Sequence, residues 1–200
     1  MSEPQAPRKL VLASGNPGKL KEFQVLASGR ALELELMPGF ARLSEFEEKA
    51  PTFAENAAGK ALYYSKHCGE MVFADDSGLV VPALGGVPGV LSARYAGPGA
   101  SSEQRNAKLL AELRGKKGAE RAASFVCVIA LALQGRCVAV VSGKVDGEIL
   151  DEPSGSGGFG YDPVFFFPPL GKSFAELSAE DKNQHSHRGK AFRRLMQVLE

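Results

Sequence analysis

Leu32, Leu34 and Leu36 alternate with Glu33 and Glu35, the period-two pattern of a strand with one wet face. Upstream, Lys9 to Ala13 predicts a short apolar strand that empties into Ser14-Gly15-Asn16-Pro17-Gly18, a turn of small residues. Leu20, Phe23 and Leu26/Ala27 then recur at helical spacing from Lys19 to about Ala27. Arg42 to Pro51 is polar and acidic and reads as loop. Thr52 with Glu55 three residues on is a capping-box signature, predicting a helix from Phe53 to about His67. Met71 to Ala74 predicts a strand that delivers Asp75 and Asp76 at its C-terminal end.

Gly85 to Gly89 is too rich in Gly and Pro for a regular element, and Ser101 with Gln104 predicts a helix to about Leu113. The pattern then changes. Ser124 to Leu133 and Cys137 to Gly143 are β-rich runs flanking Gln134-Gly135-Arg136, a hairpin signal. Asp146-Gly147 predicts a further turn before Glu148 to Leu150. Pro153 to Gly160 is a glycine-rich loop leading to a strand over Val164 to Phe167. A helix start near Ser178, a turn over Ser186 to Gly189 and a last helix from Lys190 to about Leu199 close the chain. Helices alternate with strands early and hairpins dominate late, which predicts a mixed-sheet α/β fold. With no internal repeat or dividing linker, residues 1–8 read as a flexible tail and 9–200 as a single domain.

Composition narrows the partners. A net charge of +1 in 200 residues argues against a nucleic acid polymer bound through a broad basic surface. No apolar run reaches the ~18 residues of a membrane span. Three cysteines, an odd count with no metal-ligand spacing, suit a reducing, cytoplasmic compartment.

Four segments carry candidate chemistry. The Ser14–Gly18 turn places a helix N-terminus, with its free N–H groups and positive dipole end, at an anion site. Asn16 is the expected cap, Pro17 suits the first helical position, and Lys19 in the first turn opposes the dipole unless its ammonium meets a phosphate. The glycine spacing is not that of a Walker A loop. Asp75 and Asp76 gain nothing structurally from adjacency; a divalent cation offsets their repulsion while one activates water. Glu47 and Glu48 are candidates for a third carboxylate. Lys60 lies among small residues on the Thr52 helix. In Gly157-Gly158-Phe159-Gly160-Tyr161-Asp162 an aromatic among glycines is placed to stack on a base. Lys182, His187 and Arg188 offer donors near the C-terminus, and the His185-x-His187 pair lacks the further ligands zinc needs.

In this order the segments resemble the Ham1/inosine triphosphate pyrophosphatase family. The resemblance runs from about Leu10 to Leu199 through Ser14–Lys19 with Glu22, Thr52–Ala61, Ala74–Leu79, Gly86–Ala96, Gly157–Phe166 and Ala175–Arg188. It implies an elongated mixed sheet flanked by helices, with two lobes and the active site in the cleft between them. It implies a magnesium-dependent hydrolase that splits ITP, dITP and XTP between the α- and β-phosphates, and a homodimer. Under it Asp76 is the general base, and Asp75, Asp76 and Glu48 hold Mg2+, with the register against Glu47 open. Ser14, Asn16, Lys19, Lys60 and Lys182 take the triphosphate. Ser77, Phe159, Gly160, Tyr161, Asp162, His187 and Arg188 form the base site.

An Arg donor fits O6 of hypoxanthine or xanthine, whereas the adenine amino group leaves such donors unpaired, a mismatch worth ~10⁴ in discrimination. Magnesium and the lysines predict activity rising toward alkaline pH. Gly59, a poor helix former, and His185 stand apart from this chemistry. A Maf-like pyrophosphatase, a nucleotide sensor without turnover and a phosphate-binding scaffold are the competing readings.

Overall fold

Strand β1 (Arg8–Leu12) becomes wholly buried over its last three residues, and the alternating β2 (Leu32–Leu36) lies parallel to it with Leu10 opposite Leu34. Helix α1 (Pro17–Ala27) connects them in the βαβ manner. The computed structural model describes residues 8–200; of the expected tail, residues 1–7 lie outside the described residues and Arg8 already belongs to β1.

The remaining elements are α2 (Phe53–Tyr64), β3 (Met71–Val80), α3 (Ser102–Glu112), β4 (Ala122–Leu133), β5 (Arg136–Ile149), β6 (Phe165–Phe167), β7 (Lys172–Ser173), α4 (Ala179–His185) and α5 (His187–Leu199). Seven strands form one mixed sheet in the order β2-β1-β3-β4-β5-β6-β7. β3 is parallel to β1, while β6 is antiparallel to both β5 and β7. Among the described residues no helix is long and apolar enough to cross a membrane.

Two compact units share this chain. The first comprises residues up to Asp76 with Val128–Val141 and Phe192–Glu200. Its core stacks Phe23 against Phe73 (5.1 Å between centroids) and Phe192 (5.6 Å). The β4–β5 hairpin turns within it at Gln134 and Gly135, whose positive φ values of 48° and 77° match the twist of paired strands. The second unit, Ser77–Cys127 with Ser142–Ala191, is built around Leu79, Leu109, Phe125, Phe165 and Phe174.

Three expected boundaries move. β3 does not stop at Ala74: it continues through Asp75 and Asp76 to Val80, because Leu79 beyond the acidic pair is fully buried and keeps the chain in the sheet. Asp146-Gly147 is not a turn but part of β5. Its glycine is there for space, since a Cβ at 147 would stand 2.4 Å from the Phe166 carbonyl oxygen and 2.6 Å from the Phe165 ring. The last helix begins at His187 rather than Lys190, with Ser186 Oγ accepting from Gly189 N–H (3.1 Å) as a cap would. Gly143 lets that helix start close to β5: a Cβ there would fall 2.1 Å from the His187 carbonyl oxygen.

Candidate active site

In the first unit, β1 pairs with β3 only as far as Leu12 opposite Phe73. Asp75 and Asp76 therefore lie just past the carboxyl end of β1, where parallel sheets present their ligand sites. Here Asn16 caps α1, its Oδ1 accepting from Gly18 N–H (2.9 Å) and Lys19 N–H (3.2 Å), while Ser14 Oγ accepts from Asn16 N–H (3.2 Å). The turn thus spends these N–H groups on its own side chains, and the expectation of free donors there gives way. Lys19 supplies the positive charge. Its Nζ lies 3.0 Å from Asp75 Oδ2 and 3.3 Å from the Asp75 carbonyl oxygen.

Helix α2 supplies the rest. Thr52 Oγ1 accepts from Glu55 N–H (3.2 Å) and donates to Glu55 Oε2 (2.6 Å), which starts the helix as the sequence predicts. Lys60 is buried and hydrogen-bonded to Glu48. Asn56, 1% exposed, donates to Asp76 Oδ2 at 3.1 Å. Of the two acidic candidates, Glu48 faces this group, whereas Glu47 pairs with the exposed Lys49.

Burial, reinforced by repulsion from Glu48, pushes the Asp76 carboxyl up to about 6 against the opposing pull of Lys19, Asn56 and Lys60. Burial works against the Lys60 ammonium, but Asp75, Glu48 and Asp76 outweigh it and hold its pKa above the ordinary lysine value. Among the described residues no three His, Cys, Asp or Glu side chains are grouped closely enough to hold a metal ion by themselves.

Gly59 is part of this arrangement, contrary to its expected irrelevance. A Cβ there would lie 2.6 Å from Phe46 Cζ, so the missing side chain is the notch in which Phe46 sits, two residues from Glu48. Tyr64 OH accepts from Phe46 N–H (3.2 Å) and anchors the same loop. Gly59→Ala is expected to keep its thermal stability, because the alanine gains about 1 kcal/mol of helix propensity while Phe46 lifts away. Turnover should fall roughly tenfold to a hundredfold as Glu48 shifts. Melting curves beside steady-state rates check this, and wild-type turnover would refute the notch.

The second unit collects the other candidates. Asp162 Oδ2 accepts from Phe159 N–H (2.7 Å) and from Lys182 Nζ (2.6 Å), so Asp162 pins the aromatic loop instead of facing outward. Gly158 has φ +69°, and a Cβ there would lie 2.1 Å from that same Oδ2; only glycine fits. Gly160 O accepts from Asn106 Nδ2 (3.1 Å). Phe159 is half-buried, with Lys182 Nζ 4.8 Å and Arg188 Cζ 5.6 Å from its ring centroid. Arg188 donates to Ser77 Oγ at 2.8 Å. His187 stacks on Phe125 at 4.7 Å and 11°. Tyr161 departs from its expected role: it is buried in the core and its hydroxyl donates to the Ser92 carbonyl (2.9 Å). His185 packs near Phe167, 5.4 Å between centroids.

Sequence reasoning missed Asn56, Phe46 and Phe125. Asn56 carried a signal, an uncharged polar residue one helical turn before Lys60; Phe125 carried none, since an aromatic in a β-rich run reads as core.

A mixed-sheet α/β protein with a buried acidic pair bracketed by lysines is the class that this fold and geometry define. The model of the Ham1 family matches residues 10–198, and the chain belongs to that family. The dITP/XTP pyrophosphatase of Geobacillus kaustophilus is 48% identical over 188 residues, covering 94% of this chain and 92% of its own. A dITP/XTP pyrophosphatase of Thermus thermophilus is 49% identical over 190 residues, covering 95% and 91%. The solved structure of a HAM1 protein from Coxiella burnetii superposes with a TM-score of 0.86 at 42% identity, covering 96% of this chain and 98% of that one.

Proposed function

We propose that this chain hydrolyses non-canonical purine nucleoside triphosphates (ITP, dITP and XTP) to the monophosphate and pyrophosphate, removing them from the nucleotide pool. The observation that carries the reading is the buried Asp75–Asp76 pair set between Lys19 and Lys60. It occurs in a chain similar over nearly its whole length to proteins named dITP/XTP pyrophosphatases.

In this mechanism Asp76 accepts the proton of the attacking water. Its pKa of about 6 leaves it ionised at neutral pH yet basic enough to take that proton. Lys19 and Lys60, with Ser14 and Asn16 in the adjoining turn, receive the triphosphate, whose charge must be neutralised for a phosphoanhydride to break. Lys182, beside Phe159, is the third lysine we assign to the phosphates. Phe159 stacks on the base; Arg188 and His187 donate to O6, with Ser77 orienting Arg188.

Asp75, Asp76 and Glu48 would hold Mg2+, which supplies charge neutralisation of the phosphates and polarisation of their oxygens. Their oxygen donors and the repulsion between Glu48 and Asp76 fit such a cation. We place the protein in the cytoplasm as a homodimer acting on a small-molecule substrate, on the resemblance and the odd cysteine count.

Steady-state kinetics with magnesium and three nucleotides test the proposal. kcat/KM for ITP and XTP should exceed that for ATP by about 10³–10⁴, and equal rates would refute it. kcat/KM reports the free enzyme's ionisations. It should fall as pH drops far enough to protonate Asp76, which Mg2+ beside the same carboxylate moves below the metal-free value of about 6. Because the base is the ionised form, the profile rises with pH through that ionisation and then levels; Asp76 itself gives no reason for a further alkaline rise. A profile flat down to pH 4 would remove Asp76 as the base.

A further inference from the structure

Asn56 makes a set of hydrogen bonds that only a primary amide of its length provides. Its Oδ1 accepts from Ala50 N–H (2.9 Å), and its Nδ2 donates to the Ala50 carbonyl oxygen (3.2 Å) and to Asp76 Oδ2 (3.1 Å). The backbone N–H of Ala50 needs an acceptor, which fixes the amide orientation and turns Nδ2 toward the carboxylate. Asn56 is 1% exposed, so these groups are withdrawn from water and each depends on its partner.

The geometry reaches further along the same helix face. Asn56 and Lys60 are four residues apart in α2 and point to one side. Asn56 grips Ala50, the end of the acidic loop, and Lys60 grips Glu48 two residues earlier. One amide therefore joins the loop bearing Glu48 to the strand bearing Asp76.

We infer that Asn56 is a positioning residue for the reaction: its amide holds the Asp76 carboxylate through Oδ2 and locks the Glu48 loop in register with it. The inference rests on the pyrophosphatase reading above. Asp in place of Asn keeps the shape and the acceptor for Ala50 but sets an oxygen against Asp76 Oδ2. Ser supplies a single donor on a shorter arm.

The test is steady-state kinetics of Asn56→Asp and Asn56→Ala on ITP with magnesium, beside wild type, with thermal melts of all three proteins. Positioning predicts cooperative melting, kcat lowered about 30- to 100-fold and KM within about threefold of wild type. That split separates it from a merely structural role, in which the folded variant turns over normally. Three results would overturn the inference: wild-type kcat in either folded variant, a loss carried by KM alone, or failure of both variants to fold, which would assign Asn56 to the fold. An inactive wild type would instead refute the pyrophosphatase reading, so the two failures are distinguishable.

Discussion

Asp76→Asn should abolish turnover while making the protein harder to unfold. The activity side follows from losing the proton acceptor, worth about 10³-fold. The stability side follows from the carboxyl's pKa, raised from 3.8 to about 6. A raised folded-state pKa means that the fold prefers the protonated form. Its contribution to stability is fully present below pH 3.8 and is lost as pH rises through 6. By pH 8 the ionised group costs roughly 2–3 kcal/mol. Asparagine carries no such penalty and still offers an oxygen to Asn56. In metal-free buffer at pH 8 the variant's Tm should rise by roughly 5 °C, and the gain should vanish near pH 4. Scanning calorimetry at the two pH values checks this. A variant less stable than wild type at pH 8 would show that the carboxylate is held by attractions stronger than its burial.

Asp162→Asn should have the opposite signature, a large loss of stability. Asp162 and Lys182 are buried, with side chains 3% and 7% exposed, and lie 2.6 Å apart. Removing one charge of a buried pair leaves the other uncompensated, at about 3–5 kcal/mol. The amide can still accept from Phe159 N–H, so the loop hydrogen bond survives and the cost isolates the charge. A fall in Tm of roughly 10 °C is expected. Asp162→Asn with Lys182→Met should recover much of it, since an apolar pair of similar volume is tolerated where a lone charge is not. Chemical denaturation of the single and double variants reads both effects; equal stability of Asp162→Asn and wild type would mean that the pair is solvated.

The sequence made the elements legible where local chemistry decides them. The Asn16 cap, the Ser101 capping box and the Gln134-Gly135 turn all form as their residue types require. It misled where a partner element decides. Asp75-Asp76 and Asp146-Gly147 look like breaks, yet both continue as strand, one because Leu79 is buried beyond it and the other because β6 needs the space at Gly147. In the site, Lys19, Lys60, Glu48 and the acidic pair were legible from charge type and placement. The contributions of Asn56, of Phe46 in the Gly59 notch and of Phe125 under His187 were not. They act through contacts between segments distant in sequence, and a side chain that orients another carries no charge pattern of its own.

The central claim concerns which bond breaks, and phosphorus NMR of ITP digested with magnesium observes it directly. The account predicts resonances of inosine monophosphate and pyrophosphate growing together, with ITP left intact beside Asp76→Asn. Inosine diphosphate with orthophosphate, or unchanged product formation in the variant, would contradict it.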